Sequence, residues 1–162
     1  MANDAIAMLN KYLEVNQVDE EAWLELCDMY LAKQNYLKAQ YCFEELLAVN
    51  PMNYQHNLRY AEILYSQAMA NQASIATLEL ARKYFAHALV LSDDNKDPKR
   101  VHNNVPRALW GLLKACKTIA QVQRKDDPKN LEIQELANAR LKEIYSKHTD
   151  LDISKMQIMQ QK

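Results

Sequence analysis

Apolar positions along the chain recur three and four apart, the period at which side chains stack on one face of an α-helix. Trp23, Leu26 and Tyr30 form one such stripe, and Ala39 and Phe43 form another after a polar break. Pro51 then closes the second run, because proline lacks a backbone donor and clashes with the turn before it. Upstream, Ala5, Leu9 and Tyr12 have the spacing of a further helix, with Ile6 and Leu13 beside them. Downstream, Leu58, Tyr60, Ala61, Leu64 and Tyr65 predict a helix over 54–67, and Ala81, Phe85 and Ala88 repeat the small-then-large spacing of Ala39 and Phe43. Residues 68–75 either extend the helix before them or make a longer turn. Residues 93–104 are polar, contain Pro98 and read as a surface loop. Leu109, Trp110, Leu112, Leu113, Cys116 and Ile119 place the next helix over 105–121, with Pro106 in its first turn and Gly111 as the small residue against its partner helix. Asp126 and Asp127 stand at the positive end of a last helix, to about Lys147, whose apolar positions are Leu131, Ile133, Leu136, Ala137, Leu141, Ile144 and Tyr145. The tail 151–162 has the spacing for one more short helix.

The order Trp23-x2-Leu26-Cys27-x2-Tyr30, Ala39-x3-Phe43 and Pro51 resembles the tetratricopeptide repeat, with Cys27 where glycine usually stands. A single glycine, four prolines and the lack of hairpin turns favour helix nearly everywhere. The expected fold is therefore all-α, a tetratricopeptide-repeat α-solenoid of about seven antiparallel helices. One domain is expected over 1–150, with 151–162 as a tail. The helix of Ala5, Leu9 and Tyr12 takes the place of a second helix whose first helix is missing. The pattern thus predicts a chain that starts mid-repeat, as a piece of a longer protein. A naturally capped N-terminus is the alternative, in which Ile6, Leu9 and Leu13 lose a neighbour.

The formal charge is −1, with acids and bases interspersed, so the basic stripe of a nucleic-acid binder is missing. No apolar run reaches the roughly 20 residues that cross a bilayer, and a cytoplasmic chain is the simplest expectation. Gly111 is the only glycine, which excludes phosphate-cradling loops. Cys27, Cys42 and Cys116 with His56, His87, His102 and His148 lack zinc-ligand spacing. Cys27 and Cys42 are expected in the helix seam, and His87 and His148 in solvent. Acidic pairs such as Glu20-Glu21 and Glu44-Glu45 read as helix starts and solvated faces. Trp110 fits either a core or a groove position. No catalytic residue, metal, cofactor or small-molecule substrate is expected.

In stacked helix pairs the first helices line the concave side. The residues there that are not needed for packing are Glu21, Leu24, Glu25, Asp28 and Leu31 on one helix and Gln55, Leu58, Arg59, Glu62, Tyr65 and Ser66 on the next. Ala108, Leu112 and Ala115 follow on the third. This acidic and apolar surface suits a partner segment with basic and apolar residues. Cochaperones of the repeat class hold a carboxyl terminus with lysine, arginine and asparagine. Here Leu24 and Asp28 occupy the lysine and asparagine places, and Arg59 alone does not hold two carboxylates.

A narrower resemblance rests on longer runs. Glu21-Ala22-Trp23-x-Glu25-Leu26, Tyr36-x-Lys38-Ala39-x2-Cys42-x-Glu44-Glu45-Leu46, Asn50-Pro51-x-Asn53, Tyr60-Ala61-Glu62, Leu78 to Leu89 and Arg107-Ala108-Leu109-x-Gly111-Leu112 are similar to the family of ER membrane protein complex subunit 2. The likeness covers roughly 5–120, and the chain departs from it at 68–78 and 93–104. It implies a non-enzymatic scaffold on the cytosolic face of the endoplasmic reticulum. Such a scaffold contacts cytosolic segments of membrane subunits and a soluble subunit, and supports insertion of tail-anchored and multipass proteins. A generic tetratricopeptide adaptor or cochaperone with a peptide in its groove is the alternative.

Overall fold

In the computed structural model, residues 2–71, 74–93, 105–124 and 127–146 are described. They form α1 (Ala2–Val15), α2 (Glu20–Ala32), α3 (Tyr36–Val49), α4 (Tyr54–Ala70), α5 (Ile75–Asp93), α6 (Val105–Gln123) and α7 (Pro128–Ser146), with no strand among them. Residues 94–104, His102 among them, lie outside the described residues, as do Asp126, His148 and the tail expected at 151–162.

Short polar side chains start the helices. Asp19 accepts from the Ala22 amide, Asn35 from Lys38, Asn53 from Gln55 and His56, and Asp127 from Lys129. Each acceptor satisfies donors that the first turn leaves open. Between α2 and α3 the Asn35 amide donates to Tyr30 O and the Gln34 amide to Leu31 O, closing a Schellman turn. Gln34 sits there at φ 57°, and the chain passes directly from one helix end to the next cap.

Each helix packs on the next in order, and α4 also reaches α6. Trp23, Leu26 and Tyr30 on α2 are buried, as are Ala39 and Phe43 on α3 and Ala81, Phe85 and Ala88 on α5. Pro51 lies exposed in the turn after α3. Cys27 faces the Ala39 carbonyl at 3.8 Å, so a small thiol fills the place where glycine is usual. Gly111 lies against the Phe85 ring, and α5 and α6 approach closely there. Residues 68–70 prolong α4, burying Ala68 with Leu78 and Ile119.

Three expected packing positions are corrected. Tyr12 is exposed and donates to Asp19, leaving Ile6, Leu9 and Leu13 to seat α1. Leu131 and Leu136 point outward on α7, whose buried side is Asn130, Ala137 and Leu141. Asn130 is drawn inward because it accepts from Arg82 at 2.9 Å and donates to Cys116 O at 2.8 Å, tying α5, α6 and α7 together. The Trp110 indole donates to the Tyr145 hydroxyl of α7 at 3.3 Å, half-buried at that helix contact.

Candidate functional site

The first helices α2, α4 and α6 share one face, and polar links cross it from helix to helix. Arg59 donates to Asp28 at 2.9 Å, joining α4 to α2. Arg107 grips Glu62 with two nitrogens, at 2.5 and 2.6 Å, joining α6 to α4. The Tyr65 hydroxyl meets Thr118 Oγ1 at 3.1 Å, and Lys114 lies over the Tyr65 ring. These groups are partly exposed, and surface ion pairs of this kind add only about 0–1 kcal/mol. What the links do is fix side-chain rotamers, so the face presents a defined pattern of charge.

Of the residues expected to be open on this face, Glu21, Glu25, Asp28 and Gln55 are exposed, while Arg59, Glu62, Ser66 and Tyr65 are half-buried. Leu24 and Leu31 are half-buried and pack on the core edge. Leu58 corrects the expectation: it is 2% exposed, a core residue turned toward the neighbouring helices. Ala108, Leu112 and Ala115 are likewise buried, so α6 brings Arg107, Lys114 and Thr118 to the face instead. Those three escape a pattern reading because the long connection before α6 obscures its register. Their signal is charge placed opposite charge on successive first helices, Asp28 with Arg59 and Glu62 with Arg107.

The pairing redistributes the electrostatics. Asp28 and Glu62 are compensated by their own arginines, while no cation among the described residues pairs with Glu21 or Glu25. Those two carboxylates stand one helical turn apart at the exposed start of α2, leaving that end of the face negative.

The thiols and the buried imidazole behave as packing groups. Burial pushes the Cys27 and Cys42 thiols up to about 12 and Cys116 to about 11. A thiol that holds its proton so firmly is a poor nucleophile at neutral pH. His56, almost wholly buried, stands with its ring edge to Phe43 and its Nε2 3.2 Å from Asn53 Nδ2. Burial holds its pKa below the usual value, against the pull of Glu20. His87 is exposed on α5. Among the described residues no three His, Cys, Asp or Glu side chains gather as metal ligands, and no helix is long and apolar enough to cross a membrane.

Residues 1–77 match the family described as the EMC2 TPR-like repeat domain. Over 145 residues, 88% of this chain and 44% of the relative, the chain is 35% identical to ER membrane protein complex subunit 2 of Xenopus tropicalis. It is 34% identical to subunit 2-B of Xenopus laevis over the same shares. With subunit 2 of Dictyostelium discoideum the identity is 30% over 153 residues, 91% of this chain and 45% of the relative. The chain therefore spans less than half the length of these curated relatives.

Proposed function

Because the chain belongs to the family of ER membrane protein complex subunit 2, we propose that it is a non-catalytic scaffold within such a complex. It sits on the cytosolic side of the endoplasmic reticulum membrane, held there by partner subunits, and supports insertion of tail-anchored and multipass proteins. The observation that carries the reading is the cross-linked face of α2, α4 and α6. Asp28–Arg59 and Glu62–Arg107 link the alternate helices α2, α4 and α6 across one surface. Its open end carries Glu21 and Glu25 beside the apolar edge of Leu24 and Leu31. A partner tail with basic and apolar residues meets complementary groups there. The same face repels a carboxyl terminus, which weighs against a cochaperone of the clamp kind.

Partner identity separates these readings. Tagged full-length protein, purified from cells through mild detergent, is expected to retain membrane-embedded and soluble subunits of one complex. Recovery of soluble chaperones in their place would instead make the chain a generic adaptor.

A further inference from the structure

A second surface lies on the other side of α2. At 100° per residue, Trp23, Leu26 and Tyr30 project about half a turn away from Glu21, Glu25 and Asp28. Of the described helices α1 packs on α2 alone, leaving a trough between α1 and α3. Two adjoining cavities fill it, of about 400 and 510 Å³, and share Asn10, Glu14 and Tyr41 as lining. Leu13, Trp23, Leu26 and Tyr30 are buried at its floor, whereas the rim is an exposed pair one turn apart on α3, with Leu37 65% and Tyr41 54% accessible. An apolar ridge beside an apolar floor is costly to leave in water.

Charge decides what fits. Glu14 on α1 and Glu45 on α3 line one end, and no cation among the described residues pairs with either. Glu45 instead accepts from the Tyr41 hydroxyl, which raises the pKa of that phenol. At the other end Lys38 lies 5.3 Å from the centre of the Tyr30 ring and keeps that end positive, so a partner's cation is placed at the Glu14–Glu45 end. Two donors of the floor are engaged as well: Trp23 Nε1 on Gln17 O at 2.8 Å, and Asn10 Nδ2 on Ile6 O and the Tyr30 hydroxyl. Recognition therefore falls to apolar fit and to two uncompensated carboxylates. These disfavour an anionic lipid surface and favour a cationic side chain.

We propose that the trough between α1 and α3 is a second docking surface, taking an amphipathic segment of another protein in which a lysine or arginine adjoins the apolar residues. Because it faces away from the α2–α4–α6 surface, both can be filled at once. The chain then joins two partner segments rather than one.

The test uses a labelled helical peptide with leucine and lysine one turn apart, and its counterpart with glutamate for every lysine. Each is titrated by fluorescence anisotropy at low salt onto the chain carrying Glu21→Gln and Glu25→Gln, which takes away the acidic end of the other face as a competing site. The lysine peptide should bind more tightly, and Leu37→Glu should abolish its binding. Glu14→Lys with Glu45→Lys should reverse the order of the two peptides, by about tenfold. Glu14→Lys alone, at an exposed position, carries the test if the double variant unfolds. Equal affinity for the two peptides, or an order unmoved by the reversal, overturns the proposal. So does a dimer in sedimentation that Leu37→Glu disperses, since the occupant is then a second copy. Co-sedimentation of the chain itself with phosphatidylserine vesicles, lost in Leu37→Glu, overturns it in favour of a membrane.

Discussion

Gly111 sets the distance between two helices by the lack of one atom. A Cβ there would lie 2.3 Å from Phe85 Cε1, and Phe85 is only 2% exposed, so its ring has little room to yield. Alanine gains up to about 1 kcal/mol of helix propensity over glycine, but overpacking costs about 1–3 kcal/mol. Gly111→Ala is therefore expected to destabilise in urea unfolding, and Phe85→Leu in the same chain to recover part of the loss through their coupling. The thiols give a second residue-scale prediction. Their folded pKa values, about 11 to 12, exceed the ordinary 9.0 because burial disfavours the thiolate. The unfolded chain then loses these protons first as pH rises, so their contribution is complete below 9 and drains away between 9 and about 12. The urea midpoint should fall from pH 8 to pH 10, and less steeply in Cys42→Ala. An equal slope in the two proteins contradicts the burial argument.

At the scale of the element, the helices were legible because apolar residues recur at the helical period, and because Pro51 and Pro128 mark an end and a start. The direction of each face was less so. Leu131 and Leu136 fit an apolar stripe as well as Ala137 and Leu141 do, and only the placement of Asn130 between Arg82 and Cys116 O turns α7 the other way. Leu58 was misplaced for a related reason: a stripe says which residues are apolar, but burial from two sides depends on the helices that flank it. The left-handed Gln34 was not legible, since nothing in its side chain calls for φ 57°. A left-handed residue costs roughly 1–2 kcal/mol relative to glycine, offset by about 0.5–1 kcal/mol of extra chain entropy. Gln34→Gly should therefore raise stability by up to about 1 kcal/mol, while Gln34→Val should lower it; thermal melts that rank them the other way contradict the turn geometry.

For the molecule as a whole, the family was readable from runs such as Leu78 to Leu89, while the interaction surface was only half readable. The acids of α2 were visible, yet their partition into compensated Asp28 and uncompensated Glu21 and Glu25 depends on where Arg59 falls after folding. The same holds for Glu62, whose partner Arg107 lies 45 residues away beyond a long connection. The central claim is that the open, acidic end of the α2–α4–α6 face captures basic partner segments. It is tested most directly by measuring how much of each partner subunit co-purifies with full-length protein carrying Glu21→Lys and Glu25→Lys. A chain in which Asp28 and Arg59 are exchanged serves as the charge-neutral control, and circular dichroism checks the helix content of both. Recovery of at least one membrane subunit should fall by about tenfold in the reversal and stay near wild type in the exchange. Full recovery of every partner by the reversed chain, with helix content unchanged, would contradict the claim.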